Sequence, residues 1–168
     1  MGYKIFGGVL LLLAGCYIAL MVVRFEKRRL RVMDGYISLL FYIKGQIDCY
    51  ATPVSDILKG VDPYIIADCL GISTHNVNQN SIQVSNIGLY DLLSESGSYL
   101  EPETRRLLGS FTNELGGCFR EEQLRRCDYY IEALTEERSK LNESVPVRMR
   151  VNSILCVCCA IGAAVLLW

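Results

Sequence analysis

The sequence holds few residues that carry chemistry. It has one histidine (His75), one tryptophan (Trp168) and four prolines (Pro53, Pro63, Pro102 and Pro146). A lone histidine among Asn, Gln and Ser gives a Ser/His or Cys/His catalytic set little to draw on. No G-x-x-x-x-G-K-[ST] loop is present to cradle nucleotide phosphates, and neither H-E-x-x-H nor G-x-S-x-G occurs. The acidic pairs Glu121-Glu122 and Glu136-Glu137 read as solvated helix faces. Cys49, Cys69, Cys118 and Cys127 form no C-x-x-C knuckle and are expected as reduced, small apolar residues. Cys156-Val157-Cys158-Cys159, in an apolar run, is expected to pack rather than bind metal. The sequence therefore predicts no enzyme, no cofactor and no metal. A net charge of −1 gives no basic field for nucleic acid.

Charge is also missing from both ends. Residues 5–23 and 151–168 carry none. A 19-residue helix covers about 28 Å, close to the hydrocarbon thickness of a bilayer. The expected organisation is a short non-cytoplasmic stretch at 1–4, a transmembrane helix at 5–23, a helical domain at 24–150 and a second transmembrane helix at 151–168. Each apolar run abuts a basic collar, net +4 over 24–31 and +3 over 138–150, while 32–137 sums to −9. Positive collars on both sides of one segment place 24–150 in the cytoplasm, with the collars against anionic headgroups.

Leu13-Ala14-Gly15-Cys16 offers a second reading, a lipoprotein signal cleaved before Cys16. The apolar run continues from Tyr17 to Val23 and five basic residues follow, a pattern that resists export. An exported lipoprotein, or a bitopic helical adaptor of an unrelated membrane machine, stays as the alternative.

The intervening segment reads as helices. Met33, Tyr36, Leu40, Ile43, Ile47 and Tyr50 alternate at spacings of three and four, and no breaker separates them from the first apolar run. One long helix is expected, weakened locally at Gly35 and Gly45. Thr52-Pro53 and Asp62-Pro63 each combine a capping residue with a first-turn proline, opening short helices that end near Gly60 and Gly71. Residues 71–86 carry no Lys, Arg, Asp or Glu and read as an exposed loop. A short helix is expected within 85–94. A clearer one, 103–115, follows Pro102 and stops at Gly116-Gly117. The last long helix, 119–145, carries Leu124, Cys127, Ile131, Leu134, Leu141 and Val145, interrupted only by Arg138, and Pro146 is expected to kink or break it. The predicted fold is all-α: a membrane-anchored helical bundle built on a long antiparallel helix pair, with a transmembrane helix at each end.

This layout resembles the stage III sporulation protein AB family of endospore-forming bacteria. The residues that carry the likeness are Gln46-Ile47-Asp48-Cys49-Tyr50-Ala51-Thr52-Pro53-Val54 and Leu107-Leu108-Gly109-Ser110-Phe111-Thr112-Asn113-Glu114-Leu115-Gly116, with Gln123 at the family's spacing. Thr52, Pro53, Leu115, Gly116 and Gln123 are its fold-defining positions. The chain departs from the family's pattern at Phe119, where an aspartate is usual, at Asn152-Ser153, where the family has a Leu-Gly pair, and in lacking a central tryptophan.

The resemblance implies a scaffold of the channel apparatus between mother cell and forespore, in the mother-cell membrane facing the forespore. Its cytoplasmic domain would be similar to the F-type platform proteins of type II secretion and type IV pilus systems. It would dock a cytoplasmic secretion-type ATPase, contact other membrane subunits of the channel and the lipid bilayer, and support forespore development; self-association stays open. The acidic middle segment suits a basic partner surface, and Asp56, Asp62, Asp68 and Asp91 are the candidate partner-binding residues, near tips expected at 52–60 and 71–86.

Overall fold

A computed structural model describes residues 2–50, 57–72 and 88–166, and the side chains of all of these except 2–6, 8–12, 50, 59, 160 and 163–166. Its elements are α1 (Gly2–Tyr50), a 3-10 turn (Leu58–Gly60), α2 (Pro63–Cys69), α3 (Leu89–Ser96), α4 (Pro102–Glu114) and α5 (Arg120–Leu166). The fold is all-helical, with no strand among the described residues. The chain divides into two compact units, Met1–Lys27 with Leu141–Trp168, and Arg28–Lys140.

The local signals act largely as the sequence predicts. α1 is a single unbroken helix. Asp62 caps α2, its carboxylate accepting from the Tyr64 amide at 2.9 Å, and Pro63 occupies the first turn. Pro102 opens α4. Gly71 and Gly116 follow helix ends at positive φ, 66° and 88°, where a side chain would be strained. The short helix expected within 85–94 lies at Leu89–Ser96. Pro146 does not break the last helix: α5 passes through it to Leu166. Proline forfeits one bond to the carbonyl four residues back, that of Asn142, an exposed residue. Thr52, Pro53 and Asp56 lie outside the described residues, as does the start of the short helix expected after Pro53; its described end is the 3-10 turn Leu58–Gly60.

In the Arg28–Lys140 unit, α1 is the central element. Met33, Tyr36, Leu40, Ile43 and Ile47 of the expected seam are all buried, and so are Val32 and Leu39 beside it. Three ion pairs tie α1 to α5: Asp34–Arg138 at 2.9 Å, Lys44–Asp128 at 2.5 Å and Asp48–Arg120 at 3.0 Å. Residue numbers rise along one helix as they fall along the other, so these stretches run antiparallel. Arg138 interrupts the apolar seam because it reaches Asp34 with both Nε and a terminal nitrogen.

The opposite flank of α1 meets α2 and α3. Gly35 lies at the α2 crossing, where an added Cβ would stand 2.5 Å from the Cys69 amide nitrogen and 2.7 Å from the Asp68 carbonyl carbon. It is a point of backbone contact, and its helix-weakening composition is secondary to that. Tyr36 and Ser96 share a buried hydrogen bond of 2.6 Å, and the Ser96 hydroxyl also lies 2.7 Å from the Leu92 carbonyl, joining α1 to α3. α3 packs on α4 and on α2.

Two collar arginines behave differently from the expectation that headgroups occupy them. Arg28 stacks over Tyr99, 4.4 Å from the ring centre, and donates to the Leu70 carbonyl at 3.3 Å. Arg29 donates to the Tyr99 carbonyl at 3.3 Å and pairs with Glu101 at 2.6 Å. Both clamp the ends of α2 and α3 onto the start of this unit. A Cβ on Gly71 would meet Arg28 Nε at 2.7 Å and Val32 at 3.0 Å. The segment that begins at 71 therefore starts at the collar end of α1, and not at the far tip expected for it.

The Met1–Lys27 and Leu141–Trp168 unit consists of the outer ends of α1 and α5. Leu13, Tyr17, Ile18, Leu20 and Met21 are exposed there, as are Val151, Ile154, Leu155 and Ile161. Among the described residues no helix is long and apolar enough to cross a membrane. The spans expected at 5–23 and 151–168 fall partly on side chains outside that set.

Candidate functional site

The three candidate carboxylates among the described residues lie at separate places on α2 and α3. Asp62 and Asp68 sit at opposite ends of α2, Asp91 in the first turn of α3, and Asp56 outside the described residues. Asp62 is exposed and spends its side chain on the α2 cap. Asp91 is exposed and accepts from the Gly88 amide at 3.1 Å, closing the start of α3. Asp68 is half-buried beside Gly35. Its carboxyl is pushed above the ordinary range, chiefly by burial, with Arg31 opposing the shift and Asp34 adding to it. Among the described residues no group of three or more His, Cys, Asp or Glu side chains could hold a metal ion.

The motif residues on the α4–α5 connection have structural work. The Leu115 amide donates to the Phe111 carbonyl at 3.0 Å, and Gly116 turns the chain. Gln123 is buried, and its side-chain oxygen accepts from the Cys118 thiol at 3.7 Å. Its amide donates to the Phe119 carbonyl at 2.9 Å. Phe119 itself is 90% exposed, just ahead of α5, where a capping side chain would serve better.

The four thiols in this unit differ in exposure, with Cys118 half-buried. Cys69 and Cys127 are fully buried, and Cys49 is exposed. Burial pushes Cys127 up to about 11, helped by Asp128 and opposed by Lys44. Burial raises Cys69 further, reinforced by Asp68. Both are held as neutral thiols that pack like small hydrophobes.

Two surface depressions were not legible in the sequence. One, of about 520 Å³, lies beside Glu114, Glu122, Arg125, Arg126 and the tyrosines 129 and 130. Its charges are mutually satisfied: Arg126 bridges Glu114 and Glu122 at 3.2 Å each, and Arg125 reaches Glu122 at 3.0 Å. The other, of about 530 Å³, is a groove between α3 and α4. Tyr90, Leu93 and Ser94 line it from α3, Gly97 and Ser98 from the connecting turn, and Arg105 and Gly109 from α4.

No curated protein and no solved structure matches the chain. The model of the stage III sporulation protein AB family matches residues 4–168, essentially the whole length, and the chain belongs to that family.

Proposed function

We propose that this protein is a membrane-anchored scaffold of the channel apparatus between mother cell and forespore, docking a cytoplasmic secretion-type ATPase and supporting forespore development. Family membership supports the sporulation role. The observation that carries the membrane reading is the outward-facing apolar surface of the Met1–Lys27 and Leu141–Trp168 unit. Leu, Ile, Met and Val side chains in that number are costly against water and favourable against lipid. The uncharged runs at 5–23 and 151–168, each followed inward by basic residues, favour insertion with 24–150 in the cytoplasm. The apolar run that continues from Tyr17 to Val23 past Cys16 favours a retained anchor over a leader cleaved at that cysteine.

The docking reading draws on the −9 charge of residues 32–137, which suits a basic partner. Asp56, Asp62, Asp68 and Asp91 remain its candidate contacts. Asn keeps a capping oxygen and removes the charge, so Asp→Asn changes test charge with little cost to the helix starts. The tagged full-length chain, purified in detergent from sporulating cells, should bring the ATPase of the same apparatus with it. Changing Asp56, Asp68 and Asp91 to Asn should weaken that association and flatten its salt dependence. Absence of the ATPase from the purified material contradicts the docking role.

A further inference from the structure

We propose that the chain binds a second copy of itself, the Phe119–Glu121 corner of one copy entering the α3–α4 groove of the next. Phe119 is 90% exposed, more than any other large apolar side chain among the described residues. Its backbone is nonetheless held. The Phe119 carbonyl accepts from the Gln123 amide at 2.9 Å. The neighbouring Arg120 is anchored on α1, donating to the Ile47 carbonyl at 3.2 Å and to the Asp48 carboxylate at 3.0 Å. The position precedes α5, where Ser, Thr, Asp or Asn would cap the helix and a phenyl ring cannot. The ring is thus fixed in place and uncovered by its own chain, a preorganised anchor for another surface.

The groove has the complementary chemistry. Leu93 is its buried apolar floor, and Tyr90, 73% exposed, lends an uncovered ring. Gly109 leaves room between them: an added Cβ would meet only Leu93 Cδ2, at 3.9 Å. Arg105 is the one charged residue of the lining. It donates to the Gly97 carbonyl and has no carboxylate partner among the described residues, whereas the adjacent Arg106 pairs with Glu103 at 3.6 Å. Such a slot fits an aromatic side chain accompanied by a carboxylate. The Phe119 corner brings both. Glu121 stands two residues on, exposed in the first turn of α5 and without a cation partner among the described residues, while Glu122 is held by Arg125 and Arg126. The positive charge of Arg120 is taken up by Asp48, so the corner offers an acid to Arg105. Phe119 does not line the groove of its own copy. The contact is therefore heterologous, each copy giving its corner to one neighbour and its groove to another.

The test measures the association state of the detergent-solubilised full chain by analytical ultracentrifugation over a concentration series, with melting recorded for every variant. The unaltered chain should associate. Phe119→Asp supplies a capping oxygen ahead of α5, and should weaken association about tenfold or more with the melting temperature unchanged or higher. Gly109→Leu fills the groove while improving the helix, and should do the same. Mixed together, the two variants should regain one contact, the Phe119 of the Gly109→Leu chain entering the groove of the Phe119→Asp chain, and give dimers that neither forms alone. Glu121→Arg should weaken association, and adding Arg105→Glu to it should restore association. An unaltered chain that stays monomeric overturns the proposal, as does association that both variants leave unchanged. Variants that each dissociate but fail to combine also overturn it, because the corner and the groove are then not partners.

Discussion

Gly35 of α1 and Cys69 of α2 meet backbone to backbone, leaving no space for a methyl group between them. Gly45, ten residues further along the same helix, has nothing within 4 Å of an added Cβ. The two glycines therefore predict opposite outcomes. Gly35→Ala must separate α1 from α2 and should destabilise the domain by about 1–3 kcal/mol, despite its better helix propensity. Gly45→Ala should stabilise it by about 0.5–1 kcal/mol. Thermal unfolding of the two variants checks the signs; equal shifts would show that α2 does not cross at Gly35.

Leu134 is 1% exposed on α5, and the pairs Arg138–Asp34 and Asp128–Lys44 bracket it. That register sets it level with the α1 stretch containing Leu39, Leu40 and Ile43, each fully buried. Leu134→Ala should cost about 2–5 kcal/mol. Thr135→Ala, on the exposed neighbour, should cost under about 1 kcal/mol. Chemical denaturation of both measures the contrast, and a small effect at Leu134 would remove the α1–α5 seam from the core.

Cys127 gives a pH dependence of definite sign. Its folded value, about 11, lies above its ordinary 9.0, so the folded state holds the proton more tightly. The corresponding stability is fully present below pH 9 and declines as the pH rises toward 11. Cys127→Ala should flatten the fall in melting temperature across that window, whatever it costs at neutral pH. In the same experiments Cys49 should alkylate readily at pH 8, while Cys69 and Cys127 should stay protected until denaturant is added.

The membrane reading makes a topological prediction. A cysteine introduced at 76–80 into a chain cleared of its other exposed thiols should resist an impermeant thiol reagent in intact cells and react after permeabilisation. Labelling in intact cells would reverse the orientation and favour the exported lipoprotein.

The long helices and most of their buried faces were legible because both depend on local periodicity. Met33, Tyr36, Leu40, Ile43 and Ile47 follow one seam and are buried along it. Val32 and Leu39 fell outside that seam yet are buried, because α1 contacts α2 and α3 as well as α5. A stripe sufficient for a two-helix pair understates the face of a helix with neighbours on several sides. The place of Arg28 and Arg29 beside an apolar run predicts headgroup contacts. Their actual partners, Leu70, Tyr99 and Glu101, lie 42 to 72 residues away, and charge spacing carries no record of such returns. Asp62 was legible as a cap from Asp-Pro alone. The α3–α4 groove was not, because it depends on two helices meeting, and a glycine in one helix says nothing about its neighbour.

The most direct test of the scaffold account follows the ATPase in living cells. A fluorescent fusion of the secretion-type ATPase is imaged in sporulating mother cells with and without this protein. The account predicts signal concentrated at the membrane facing the forespore, dispersal through the mother-cell cytoplasm when the chain is deleted, and recovery when the wild-type chain is restored. An ATPase that stays at that membrane in the deletion strain would contradict it.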